Sequence, residues 1–572
     1  MKKLLATTLA VIIIFLPLGC RGEENGQEEL PTAAPEHSLL PTLPPPAVQE
    51  PEDSLRVAGR QERDLNPLYP KHYANQSLLK LVYQPLYEVG LDGRLQAVLA
   101  RDYRWSADGL TLTVSLEKDR SFHDGKALQA EDVIASFRTY LSVQLPAGPL
   151  PQEDPDDPQD DLILEEVERD DLYEKGPLFQ PLDFSLMNLD RLAALENIAG
   201  LEALSDEILT ITLFSPDPLL LRHLTFPVLP QAYARERSMN PAPGTGPWIL
   251  ARDGNDAFSL TALDGNHQVT RIQVTAFSRV QEAVAAFEAG DIDLLLMNSS
   301  ETALYADRSR IRKQRLEDGG FISLYFAGRG ENALAMRDAL LYVFQNDPTF
   351  DLIGAPLSGA SYPILSGDFR LKEGRLPVYL APAPDQGSLK QNDLDQDDSG
   401  RPQDSVYLPF RLLVPEDFLP ARLIDRIGSA LLQLGRQLTI IRASSDNWQA
   451  ALNSGRYDAA LLVEALDGFP DPADYLDGLD QAGLLDWSQL LDPTDRVFLL
   501  DARQTMVNFG SGGGEAIEGY PDCLLRVFGQ LPVLGLAVSG TMVWYSNHVE
   551  GSLVGTWYSP YLGVEDLLVW GP

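Results

Sequence analysis

Residues 65–69 read LNPLY, residues 83–93 read YQPLYEVGLDG, and residues 105–133 read WSADGLTLTVSLEKDRSFHDGKALQAEDV. The last of these alternates strictly at its centre. Leu110, Leu112, Val114 and Leu116 point one way, while Thr111, Thr113, Ser115 and Glu117 point the other, which predicts a half-buried strand. Asp92-Gly93 before it and His123-Asp124-Gly125 after it are turn formers. Val133, Ile134, Phe137, Tyr140 and Leu141 then recur at helical spacing. The block therefore reads as extended segment, helix, turn, strand, tight turn and helix.

Moving outward, Ile208 to Phe214 gives a second strand with Leu209, Ile211 and Leu213 inward. Val280, Ala283, Val284 and Phe287 stripe a helix that Gly290 stops, and a buried strand follows from Ile292 to Leu296. The same unit returns later. Ile424, Ile427, Leu431 and Leu434 stripe a helix, Gly435 ends it, and Gln437 to Ile441 form a strand. A short helix from Trp448 to Ser454 and a strand within GRYDAALLVEAL come next. Strands joined in this way by helices build an α/β sheet. In such sheets, ligands bind beyond the carboxyl ends of the strands.

The 572-residue chain carries 83 acidic and 45 basic residues, for a formal charge of −38. That charge repels phosphate backbones and argues against a nucleic-acid partner. Lys2 and Lys3 precede an apolar run, Leu4 to Leu18, that closes on Gly19-Cys20. This is an export signal, too short to span a bilayer, and its end resembles the lipobox of bacterial lipoproteins, which makes Cys20 the expected lipidation site. Residues 21–53, Glu-rich and then Pro-rich, read as a tether. Eleven acidic residues against one base between Glu153 and Asp171 read as a solvated insertion, with calcium binding the less favoured alternative. A second polar loop runs from Asp385. Cys523 would be unpaired if Cys20 is lipidated, so no disulfide is expected. The six His residues show no HxxxH or HExxH spacing. No GxSxG or CxxC occurs either. Neither catalytic nor metal residues are assigned, no cofactor is expected, and a surface hydrolase is the least favoured reading.

The opening block resembles the start of the family 5 extracellular solute-binding proteins, the dipeptide, oligopeptide and nickel receptors of ABC importers. NPAPGTGPW at 240–248 is similar to the family's GTGPY-like return turn, and it lacks the Lys-Ser/Thr ending of a phosphate loop. PVLGLAVSGTMVWYSNHVEG from Pro532 resembles the terminal segment that crosses back to the first lobe. The resemblance implies a two-lobed α/β fold of the periplasmic-binding-protein type II class with an additional small domain. Residues 1–19 would be the signal peptide and 20–53 the lipid anchor and tether. Lobe I would take 54–90, 240–310 and 526–572. The small domain would take 91–239, with the acidic insertion at 150–175, and lobe II 311–525.

The resemblance also implies a function: an anchored receptor that closes on a short peptide or similar extended solute and presents it to a membrane ABC permease, as a monomer. In peptide-binding members a carboxylate in a second-lobe loop pairs with the ligand ammonium. Here that loop is 464–472, where Phe469 and Pro470-Asp471-Pro472 match the pattern. Gly468 stands at the anchoring position and Asp467 one residue earlier. Asp467 and Asp471 are the expected polar contacts, and Tyr69, Trp448 and Trp544 the expected aromatic walls. The shifted Asp467 keeps open an alternative: a member that has lost import and serves as a sensor or partner-binding scaffold.

Overall fold

The computed structural model describes residues 51–144, 194–297, 311–346, 358–384, 408–465, 471–507 and 516–571, less single positions and runs of up to four residues inside them. Cys20, the acidic insertion at 150–175, the loop from Asp385 and Asp467 lie outside the described residues.

One long sheet organises the chain from residue 51 onward. Among the described residues, its strands follow the order Arg436–Ala443, Leu408–Pro415, Ala459–Ala465, Arg312–Phe326, Val533–Tyr545, Leu294–Met297, Ser54–Arg60, Arg271–Phe277, Ala257–Ala262 and Trp248–Arg252. Each half contains the expected strand–helix–strand unit. In one half, strand Arg271–Phe277 leads through helix Val280–Ala289 to strand Leu294–Met297, and Ser54–Arg60 lies parallel between the two strands. Gly290 adopts φ 85° as the left-handed cap that stops this helix. In the other half, Leu408–Pro415 pairs in parallel with both Arg436–Ala443 and Ala459–Ala465, and helices Ala421–Gln433 and Ser445–Ser454 make the connections.

The halves meet in two long antiparallel strands. Arg312–Phe326 and Val533–Tyr545 pair from Arg312–Tyr545 at one end to Tyr325–Val533 at the other. The register slips between Glu317 and Phe321, where the ladder is locally irregular. On one side of the slip Leu294–Met297 adds to the sheet against Met542–Tyr545, and on the other Ala459–Ala465 adds against Gly320–Phe326.

Separate cores form on either side. The first gathers Leu55, Val57, Leu78, Val82, Phe137, Phe226 and Ile272. The second and third cover opposite faces of the other half-sheet, with Phe321, Leu462, Tyr475 and Leu524 on one face and Ile322, Leu412, Ile427 and Leu461 on the other. A smaller four-stranded antiparallel sheet, ordered Ala100–Trp105, Thr111–Leu116, Ile208–Leu213 and Ile198–Ser205, packs into the first core. The alternation read from the sequence holds: Leu112, Val114 and Leu116 are buried, as are Leu209, Ile211 and Leu213. Phe137 and Tyr140 of helix Ala130–Gln144 stack on Phe226 with ring centroids 4.6 and 5.4 Å away.

Candidate functional site

The sequence motifs converge on one junction in the first core. The Asn66 carboxamide of LNPLY donates to the carbonyls of Tyr233, Ala234 and Glu236 at 3.2, 3.1 and 2.8 Å, and its oxygen accepts from the Leu68 N–H at 3.0 Å. Asp64 beside it is buried between Lys71, at 2.7 Å, and Arg237, at 3.1 Å. The Arg237 guanidinium lies 4.7 Å over the Tyr69 ring, and the Tyr69 hydroxyl donates to the Arg235 carbonyl at 3.3 Å. Half-buried Tyr69 is thus packed on the segment that leads into NPAPGTGPW. Burial raises its phenol pKa, with Arg237 opposing.

His123 locks the FHDG turn onto the GTGPW turn. Its Nδ1 accepts from the Gly244 N–H at 3.2 Å, its Nε2 lies 2.9 Å from the Gly246 carbonyl, and its own N–H donates to the Gly244 carbonyl at 2.9 Å. Accepting at Nδ1 fixes Nε2 as the protonated, donating nitrogen. The Gly246 N–H in turn donates to the Val82 carbonyl at 2.8 Å. A Cβ on Gly244 would stand 2.1 Å from that same carbonyl oxygen, and one on Gly246 would stand 2.4 Å from the Leu81 oxygen. Both positions need glycine because three backbone segments touch there.

In the second half, the loop 466–470 that carries Asp467 lies outside the described residues, but its flanks are described. Glu464, ahead of it, is fully buried and shares the second-core face of its strand with Leu462. Phe321 packs edge-on against Tyr475 at 5.4 Å, and the Ser323 and Tyr475 hydroxyls hydrogen-bond at 2.8 Å over that face.

Behind the loop, Asp471 caps helix Pro472–Gln481. Its Oδ1 accepts from the Ala473 N–H at 2.8 Å, with Pro472 in the first helical position. Its Oδ2 accepts from Arg370, which also makes a charge-assisted pair with Asp368 at 2.7 Å. All three side chains are buried, and Arg370 lies over the Tyr520 ring. Burial disfavours the Arg370 charge, but Tyr520, Asp368 and Asp471 outweigh it and raise its pKa.

One turn on, Asp474 is held by Arg222 and by Arg503, the latter at 2.8 Å. Arg503 also pairs with Asp477 at 2.8 Å, and Asp477 accepts from the Trp487 indole N–H at 3.0 Å. Burial works against the charge on Asp474, but the two guanidiniums prevail and hold its carboxyl below the usual value.

The aromatic candidates are distributed rather than gathered. Trp448 packs in the second core beside Leu452 and Tyr457. Trp544 is fully buried in a fourth core, edge-on to Phe287 at 5.8 Å, with the Lys313 ammonium 4.9 Å from its ring. Sequence reasoning did not single out Arg222, Arg370, Asp474 and Arg503. The Asp471-Pro472 dipeptide ahead of a helical stripe was the one local signal of that cluster. Arg337 is a further buried cation: its guanidinium donates to the Phe528, Gly529 and Leu531 carbonyls and so closes the end of helix Tyr520–Gln530. Among the described residues, no group of three or more His, Cys, Asp or Glu side chains is placed to hold a metal ion, and no helix is long and apolar enough to cross a membrane.

The profile of the bacterial extracellular solute-binding proteins, family 5 (middle), matches residues 94–483. The nickel-binding periplasmic protein of Escherichia coli (strain K12) is 25% identical over 313 residues, 50% of this chain and 51% of that protein. The chain thus matches about half the length of that relative. Among solved structures, HbpA2 from Haemophilus parasuis superposes with a TM-score of 0.62 at 17% identity, covering 90% of this chain and 99% of that one. The oligopeptide-binding protein AppA from Bacillus subtilis, in complex with a nonapeptide, gives 0.53 at 14% identity, covering 91% and 100%. The shared architecture is the two-lobed type II periplasmic-binding fold.

Proposed function

The chain belongs to the bacterial extracellular solute-binding proteins of family 5, and from that premise we propose that it captures a short peptide or similar extended solute between its lobes and delivers it to an ABC importer. Members of the family are receptors rather than enzymes. The observation that carries the reading is the pair of crossing strands. Arg312–Phe326 and Val533–Tyr545 join two separately cored half-sheets through an irregular register, the arrangement that permits hinge closure around a ligand. In this reading the chain crosses between lobes near 317–321 and 538–541. The small domain is 91–239, and lobe II begins at the first crossing rather than at 311. The signal and tether precede residue 54, and Cys20 carries the lipid that keeps the receptor at the membrane face.

Asp467 is the group we assign to the ligand ammonium. Asp471, already bound to Arg370 and its helix, steadies the loop from behind, and Trp448 and Trp544 brace the cleft walls from within their cores. Tyr69 holds the entry segment against Arg235–Arg237. A second reading is favoured by one observation, the nickel-binding relative: the solute is a metal chelate, held mainly through its organic part.

The test is mass spectrometry of small molecules released on denaturing the purified protein, followed by thermal shift with peptides of two to nine residues and with nickel–histidine. Co-released peptides and a peptide-dependent shift support the first reading, and a shift with the chelate alone transfers support to the second. An empty cleft with no shift from either leaves the sensor or scaffold alternative. Asp467→Asn is expected to weaken peptide binding by about 1.5–3 kcal/mol, the worth of a charge-assisted hydrogen bond.

A further inference from the structure

We infer that Arg222 and Asp474 form a latch that holds the two lobes closed without a solute. Arg222 sits in the one-turn helix Leu220–His223, whose Leu220 and Leu221 are anchored in the first core. Asp474 sits in the first turn of helix Pro472–Gln481, whose Ala473, Tyr475 and Leu476 are anchored in the second. The pair therefore adds a buried ionic tie between two cores that also meet at the crossing strands and at Phe369, whose N–H donates to the Asp92 carbonyl at 3.2 Å. Both side chains are largely shielded from water, at 12% and 4% exposure. A pair so placed is little screened by salt.

Asp474 has a second partner on its own side, and this eases reversal of the tie. Asp474 also holds Arg503 at 2.8 Å, and Arg503 shares Asp477. Separating the lobes thus leaves the Asp474 carboxylate paired, whereas stripping one member of an isolated buried pair exposes the other to the full cost of burial. The apolar part of the same contact follows the helix that carries Arg503. Met506 and Val507 insert into the first core, and the Val507 carbonyl accepts from the Tyr103 hydroxyl at 3.3 Å. A carboxylate that stays paired in either arrangement lowers the cost of the switch between them.

The inference depends on the two-lobed hinge and not on the identity of the solute, so it is tested on solute-free protein. Spin labels at Leu204→Cys and Leu490→Cys, both exposed and on opposite sides of the contact, report the lobe separation by pulsed dipolar spectroscopy in the full chain carrying Cys20→Ser. Cys523 is buried and stays unlabelled. The wild-type chain should give one dominant short distance. Arg222→Met should populate a longer distance about tenfold more than wild type, and Arg222→Lys, which keeps the charge, should fall between. A wild-type chain already at the long distance, or both variants retaining the wild-type distribution, overturns the latch. Loss of cooperative unfolding in both variants overturns it as well, because a latch between preformed lobes is dispensable to either fold. Failure to bind peptides in the preceding test leaves these outcomes untouched.

Discussion

The junction around Gly244 and the network around Asp474 both bind distant chain segments together, and they do it with opposite chemistry. At Gly244 three turns touch through neutral backbone groups and one imidazole, and the contact depends on the absence of side chains. At Asp471 and Asp474 the segments meet through buried carboxylates and guanidiniums, and the contact depends on charges being matched. A backbone junction cannot rearrange without rebuilding the fold, because the peptide groups have no alternative partners. A shared ionic network can exchange partners, because Asp474, Arg370 and Arg503 each have two counterparts. The first therefore suits the frame of a lobe and the second suits a contact that forms and breaks.

The strongest way to break the comparison is Gly244→Val. Its Cβ would collide with the Val82 carbonyl, and a collision with backbone in a core removes more than about 4 kcal/mol or abolishes cooperative unfolding. Denaturant melts that remain two-state with a small loss would show that the junction yields after all. Asp471→Ala comes next, at about 3–5 kcal/mol for opening a buried pair, including roughly 1 kcal/mol from the helix cap. Asp471→Asn, which keeps an acceptor oxygen, should recover only the cap portion.

Glu62 sharpens the contrast, because it is a buried acid beside the neutral junction whose cation, Lys71, is 3.9 Å away and closer to Asp64. Burial raises its carboxyl from 4.5 to about 7, against Lys71 and the His72 N–H. A raised folded-state value means stability that is full below pH 4.5 and lost as pH rises to about 7. Glu62→Gln should therefore match wild type near pH 4.5 and exceed it by about 2–3 kcal/mol at pH 8, read from denaturant midpoints. The smallest effect is expected at Arg411, whose pair with Asp458 is exposed on both sides at 46% and 37%. Arg411→Ala should leave the melting temperature unchanged within error, and a clear drop there would blur the distinction between buried and exposed charge.

The same contrast explains what the sequence disclosed. The strand at Thr111–Leu116, the helix over Ala130–Gln144 and the stop at Gly290 follow from spacings of two and three or four residues, so local pattern is sufficient. FHDG and GTGPW were legible as turns, but their docking through His123 joins positions 121 residues apart. Asp471-Pro472 was legible only as part of the 464–472 loop, and the partner of Asp471, Arg370, comes 101 residues earlier. Asp474 reaches Arg222 across 252. A charge pair at such separations leaves no periodic trace, since any of the many acids could have met any of the bases. Trp448 and Trp544 illustrate the converse: an aromatic near a strand end reads equally well as wall or core, and only packing shows that both lie inside.

The crossing strands have a further consequence for how this chain comes into being. Val533–Tyr545 follows every other described strand of the long sheet in the chain, yet it occupies an interior place there, between Arg312–Phe326 and Leu294–Met297. Until it arrives, both of those strands present bare edges, the surface most open to pairing with other chains. Each half can gather its own core while the rest of the chain is still emerging, but the seam between them closes only at the end. Assembly of this protein is therefore a two-stage event whose second stage waits on Val533–Tyr545, and a chain interrupted before that strand would expose two unfinished sheets rather than one smaller, intact protein.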